Sequence, residues 1–207
     1  NYTNDELLQL IEENIDVLDE TALLRAATLV KDNDQKIELY KKAADKFDSN
    51  AAQYNLAITY LNMDENNKAK RALDKCEQDA DWNNAMGVIA LREGEYGQAN
   101  RYFAAAGTET AKENMAVIDV LNGNYKDAAA KLAGKDGYNA ALVALLNGNN
   151  APAAALKCEC PQAAYLRAVA AARQGNASAV ATNLDAAKAC EVLAARAAKD
   201  IEFAQYR

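Results

Sequence analysis

Apolar residues recur three and four positions apart in stretches of roughly 10–14 residues, and short polar turns separate the stretches. That period puts the apolar side chains on one face of a helix. The pattern predicts helices at 4–17, 20–31, 34–47, 50–63, 66–79, 82–93 and 96–106. It continues with helices at 110–121, 125–133, 137–147, 151–157, 161–174, 177–188 and 190–204. Thr3 with Glu6 forms a capping box at the first of them, and Pro161 suits the first turn of its own helix. Four turns share one form: Arg92-Glu93-Gly94-Glu95-Tyr96, Asn122-Gly123-Asn124-Tyr125, Asn147-Gly148-Asn149-Asn150 and Gln174-Gly175-Asn176-Ala177. Their glycines are spaced by 29, 25 and 27 residues. A glycine there suits a helix C-cap, and the Asn or Glu after it opens the next helix. Lys31-Asp32-Asn33-Asp34 and Asp64-Glu65-Asn66-Asn67 stand where such turns fall in the first part of the chain. Near-regular turns of this kind mean an array of helical hairpins.

Within the hairpins small and large residues alternate at fixed positions. One copy reads Leu56-Ala57, Tyr60, then Ala69, Leu73 and Cys76. The next reads Met86-Gly87, Ala90, then Ala99, Phe103 and Ala106, opened by Trp82. A third carries Met115-Ala116, Asp119, Ala128 and Leu132. An early copy carries Leu23-Leu24, Ala27, Lys36, Tyr40 and Ala43, and weaker later copies carry Ala140-Ala141, Ala144 and Ala153, then Arg167-Ala168, Ala171, Val180, Leu184 and Ala187. Small residues let two helix backbones cross closely, and large ones fill the flanking gaps. From residue 20 to 188 the chain resembles the tetratricopeptide repeat family. Its anchors Lys36, Ala69, Ala99, Ala128, Ala153 and Val180 are spaced 33, 30, 29, 25 and 27 apart, against the family period of about 34. The trimmed repeats with Gly-Asn turns are similar to those of bacterial cell-envelope repeat proteins. The resemblance implies an all-α, right-handed α-α superhelix of about six hairpins. It forms a single solenoid domain over 1–207, with residues 1–19 as an N-terminal helix and 189–207 as a capping helix.

Composition narrows the function. There is no His, which removes His-based triads, general bases and metal ligands. Ser49 and Ser178 are the only serines, and no Gly-Lys-Ser/Thr follows a glycine turn, so neither a serine hydrolase nor a phosphate loop is expected. Ala accounts for 47 of the 207 residues, which favours closely packed helices. Residues 1–80 hold 17 acids against 10 bases, whereas the remainder is balanced at 13 of each. No basic stripe for nucleic acid is visible. The acidic third is either solvated helix surface or a face for a basic partner. No apolar run reaches the ~20 residues of a membrane span. Cys76 and Cys190 sit in helical patterns and read as small core residues. Cys158-Glu159-Cys160 lacks the spacing of zinc ribbons, and a disulfide across it would close a strained short loop. The chain opens on Asn1 rather than Met and reads as part of a longer protein, with a periplasmic or cell-envelope setting preferred over the cytoplasm.

These readings exclude catalytic, cofactor and metal sites and predict a non-catalytic scaffold for a protein or peptide partner. In the family the first helix of each pair lines a concave surface where peptides bind. The matching positions here are Tyr54, Asn55 and Ile58; Asn84 and Val88; Asn114 and Val117; Tyr138 and Asn139; and Tyr165. The amides suit a peptide main chain, the tyrosines stack and hydrogen-bond, and the aliphatics receive apolar side chains. An aliphatic stripe at helical spacing is more often core than groove. The basic residues of the carboxylate-clamp subtype are missing from these positions. The alternative is a structural spacer or assembly domain of a larger envelope protein.

Overall fold

A computed structural model describes residues 2–207, and every regular element among them is helical. The elements are α1 (Asn4–Glu13), α2 (Glu20–Leu29), α3 (Asn33–Phe47), α4 (Asn50–Asn62), α5 (Asn66–Leu73), α6 (Ala80–Arg92) and α7 (Tyr96–Ala106). They continue with α8 (Glu109–Leu121), α9 (Tyr125–Lys131), α10 (Tyr138–Leu146), α11 (Ala151–Ala154), α12 (Pro161–Arg173), α13 (Ala177–Ala187) and α14 (Glu191–Ala197). Two 3₁₀ segments, Ile15–Val17 and Ile201–Tyr206, lie near the ends.

The chain forms two compact units, one running to Ala111 and one from Lys112 to Arg207. In the first, α2 pairs with α3, α4 with α5 and α6 with α7, and α4 packs on both α3 and α6. The connections are short, so the partners run antiparallel. Leu23, Ala27, Leu39, Ala43, Ala57, Ala69 and Leu73 are almost completely buried along the seams. In the second unit α10 packs on α9, α11 and α12, and α12 pairs with α13. Alanines dominate that core: Ala153, Ala164, Ala168, Ala170 and Ala187 have no exposure.

One turn geometry repeats five times. The N–H of Glu65, Glu95, Asn124, Asn149 and Asn176 donates to the carbonyl five residues earlier, at 2.7–3.0 Å. The preceding N–H, from Asp64, Gly94, Gly123, Gly148 or Gly175, donates to the carbonyl three residues earlier. These paired bonds satisfy the carbonyls that a helix end leaves orphaned. They require positive φ at the central residue, and Gly94, Gly123, Gly148 and Gly175 adopt +71° to +88°. Asp64 adopts +59° without being glycine.

The helix expected over 151–157 ends at Ala154, and three further elements differ from the sequence expectation for local reasons. The helix expected over 66–79 ends at Leu73, because the Asp79 side chain accepts the N–H of Trp82 and starts α6 at Ala80. The first helix stops at Glu13, where Asn14 (φ −161°, ψ 69°) leaves helical geometry. The last breaks after Ala197, because Asp200 caps a separate 3₁₀ segment by accepting from the Glu202 N–H. That segment folds back onto α12: Tyr206 Oη donates to the Ala172 carbonyl, Arg173 pairs with Glu202, and Phe203 is buried to 1% exposure. Cys76 and Cys190 are half-buried but not inside helices; one follows α5 and the other is the N-cap of α14. Among the described residues no helix is long and apolar enough to cross a membrane.

Candidate functional site

In the first unit, α4 and α6 are packed neighbours and bring five of the expected residues onto adjoining helices. Tyr54, Asn55 and Ile58 on α4, and Asn84 and Val88 on α6, are all half-buried. Ala57 with no exposure and Ala85 with 1% are buried on the same two helices. Burial pushes the Tyr54 phenol above its usual range, and the carboxylates of Asp81 and Asp79 push it further. Tyr54 therefore stays a neutral donor throughout the physiological range and sits against an acidic edge.

The second unit treats its candidates differently. Asn114 and Val117 on α8 are half-buried, while Tyr138 and Asn139 in the first turn of α10 are exposed. Tyr165 is buried. Its hydroxyl donates to Asp200, its ring meets Phe203 edge-on at 5.6 Å between centroids, and the Arg196 guanidinium lies 5.5 Å above it. The C-terminal segment thus covers this residue, and no surface is left there for a partner. Burial and then the Asp200 hydrogen bond push the Tyr165 phenol up to about 12. The repeat pattern alone had no means of showing that residues 200–206 return to α12.

A cleft of about 970 Å³ opens in the second unit. Its walls include Leu132, Tyr138, Val143, Leu156, Cys158 and Cys160. Cys158 and Cys160 are joined by a disulfide, so the short loop that looked unfavourable from spacing is closed. The loop is held from behind by Arg167. Its Nη1 donates to the carbonyls of Leu156 and Cys158 at 2.9 and 2.7 Å, and its Nε donates to Asn183 Oδ1 at 2.9 Å. Sequence reading placed Arg167 only as a repeat position; its role needs the fold, because its acceptors come from two segments. Among the described residues no cluster of three or more cysteines or carboxylates is placed to hold a metal ion.

No family model and no curated protein matches the chain. Solved structures do match in fold. A tetratricopeptide repeat protein from Parabacteroides merdae aligns with a TM-score of 0.67 at 15% identity, over 92% of this chain and 88% of that one. The Cut9–Hcn1 hetero-tetramer of APC/C aligns at 0.56 and 14% identity, over 98% of this chain and 38% of that one. PilW, a type IV pilus biogenesis factor, aligns at 0.53 and 19% identity, over 97% and 90%.

Proposed function

Because the chain has the solenoid fold of tetratricopeptide-repeat proteins, we propose that it is a non-catalytic interaction scaffold that binds a peptide across α4 and α6. The supporting observation is that Tyr54, Asn55, Ile58, Asn84 and Val88 are each only half-buried on two helices that pack together. The set combines hydroxyl and amide groups for a peptide main chain with aliphatics for its side chains. In the second unit, Asn114 and Val117 on α8 and Tyr138 and Asn139 on α10 offer side chains of the same types. Likeness to Cut9, which is seen assembled with Hcn1, and to PilW, a pilus biogenesis factor, is in keeping with an assembly role. Selection of peptides from a displayed library on the full chain, followed by calorimetry, tests the reading. The double variant Tyr54→Ala/Asn84→Ala should weaken a selected peptide at least about tenfold, the loss of one or two good contacts. Unchanged affinity in a folded variant would overturn it.

A second reading, a spacer or assembly domain in a larger envelope protein, is supported by Val192 and Ile201. These apolar side chains are 75% and 85% exposed. Protection of both from surface labelling in the longer protein would favour it.

A further inference from the structure

We propose that Cys158–Cys160 is a thiol–disulfide exchange site for cysteines of extended polypeptides whose neighbouring side chains are apolar. The juxtaposition that carries this is a disulfide set in the wall of an apolar cleft. Both cysteines line the cleft of about 970 Å³, beside Leu132, Tyr138, Val143 and Leu156.

The bond has little to do as a staple. It closes a loop of sequence separation 2, and the stabilisation from a cross-link rises with loop length. The same loop is already anchored by the Arg167 hydrogen bonds to Leu156 and Cys158.

The two sulfurs are unequal. Cys158 is exposed. Cys160 is half-buried and is the N-cap of the 13-residue helix α12, with Pro161 at its first position. A thiolate on Cys160 is stabilised by the positive end of that helix, which makes Cys160 the better leaving group. In the first step a partner thiolate attacks Cys158 Sγ. A partner–Cys158 disulfide forms, the Cys158–Cys160 bond breaks, and its electron pair leaves on Cys160 Sγ. In the second step another thiolate of the same partner attacks the partner's own sulfur and expels the Cys158 thiolate. Both released thiolates recover the protons that the partner's thiols lost to solvent. The partner dithiol is oxidised to a disulfide, and the Cys158–Cys160 pair takes up the two electrons.

The other cysteines stand apart. Burial pushes the Cys76 thiol up to about 11, and it donates to the Ala72 carbonyl. Cys190 lies at the start of α14 and outside the cleft lining.

The site does not depend on the α4–α6 reading, so Tyr54→Ala/Asn84→Ala should leave it unchanged. The test uses the air-oxidised full chain and two single-cysteine peptides, one flanked by Leu and Phe and one by Ser and Asn. Intact mass and peptide mapping follow the reaction. The expected product is a mixed disulfide on Cys158 with Cys160 free, formed about tenfold faster with the apolar peptide. Tyr138→Ser, at an exposed wall position, should shrink that preference, and Cys160→Ser should give no adduct. Four alkylatable thiols in the air-oxidised chain, an adduct on Cys160, or equal rates for the two peptides would each overturn the proposal.

Discussion

The ring of Phe103 occupies the space that a side chain on Gly87 would need: a Cβ there would lie 2.5 Å from Cε1 and 2.6 Å from Cδ1. The two residues are 16 apart, one on α6 and one on α7, and the same spacing joins Ala57 to Leu73, Ala116 to Leu132 and Ala168 to Leu184. Where the large partner is Leu, a methyl group fits opposite it. Where it is Phe, only glycine does. An Ala for Gly in a helix interior ordinarily gains about 1 kcal/mol. Here the ring is at 1% exposure with nowhere to retreat, so overpacking of about 1–3 kcal/mol should win. Gly87→Ala is expected to lower stability in chemical denaturation. Gly87→Ala/Phe103→Leu should cost less than the two single changes added together. Strict additivity would mean that the pair does not clash.

The recurrent turn makes a prediction of opposite sign at two equivalent places. Asp64 (φ +59°) holds the left-handed position that Gly94 (φ +80°) holds one hairpin later. Asp64→Gly should relieve the Cβ penalty and stabilise by about 0.5 kcal/mol, after allowing for the entropy glycine adds to the unfolded chain. The ion pair that it gives up, Arg92 to Asp64 at 3.4 Å, involves a carboxylate 91% exposed and contributes little. Gly94→Ala should cost about 1 kcal/mol. Thermal melts of both variants decide the matter, and destabilisation by Asp64→Gly would show that the carboxylate does more than the backbone.

The glycine turns and the small-for-large alternation were legible because each is local: one residue type at one spacing meets one backbone need. They located the helices and identified the repeat. The end of α5 was not legible, since the apolar pattern runs on to Cys76 while the helix stops at Leu73 and Asp79 caps the next one. Nor was the fate of Tyr165. Its sequence position matches Tyr138, yet Tyr138 is 39% exposed while Tyr165 lies under a segment some 35 residues further on. The cysteine loop failed for a related reason. Spacing alone makes a two-residue bridge look unfavourable, and the Arg167 anchors that hold the loop come from the fold.

Arginines at the ends of two first helices brace the preceding hairpin. Arg92 Nη1 donates to the Leu61 carbonyl at 2.7 Å, and Arg173 Nη1 to the Leu145 carbonyl at 2.8 Å. Each satisfies a carbonyl at the end of the first helix one hairpin earlier. Arg173 also holds Glu202 through Nε and Nη2, which fixes the C-terminal segment. A lysine keeps the charge but not the fork. Arg173→Lys should therefore cost about 1–2 kcal/mol, and Arg92→Lys, with no such forked partner, about 1 kcal/mol. Denaturation curves of the two variants test the ranking, and equal losses would contradict it.

The Tyr165–Asp200 contact should show itself as a loss of stability in alkali. Burial and the carboxylate hold the folded phenol protonated up to about 12, whereas an unfolded tyrosine ionises near 10. The contribution is thus complete below pH 10. Between pH 10 and 12 the unfolded chain releases a proton that the folded chain keeps, so stability falls as pH rises, by an amount on the order of 2 kcal/mol. Burial raises Tyr40, Tyr54 and Tyr138 in the same direction, so the wild-type slope alone is not specific. The difference against Tyr165→Phe is specific. That variant loses the hydroxyl but leaves Asp200 its cap on Glu202. It should be less stable than wild type by about 1–2 kcal/mol at pH 8, and the gap should close by pH 12. A gap that stays constant across that range would mean that the phenol titrates alike in both states and that Asp200 does not hold it.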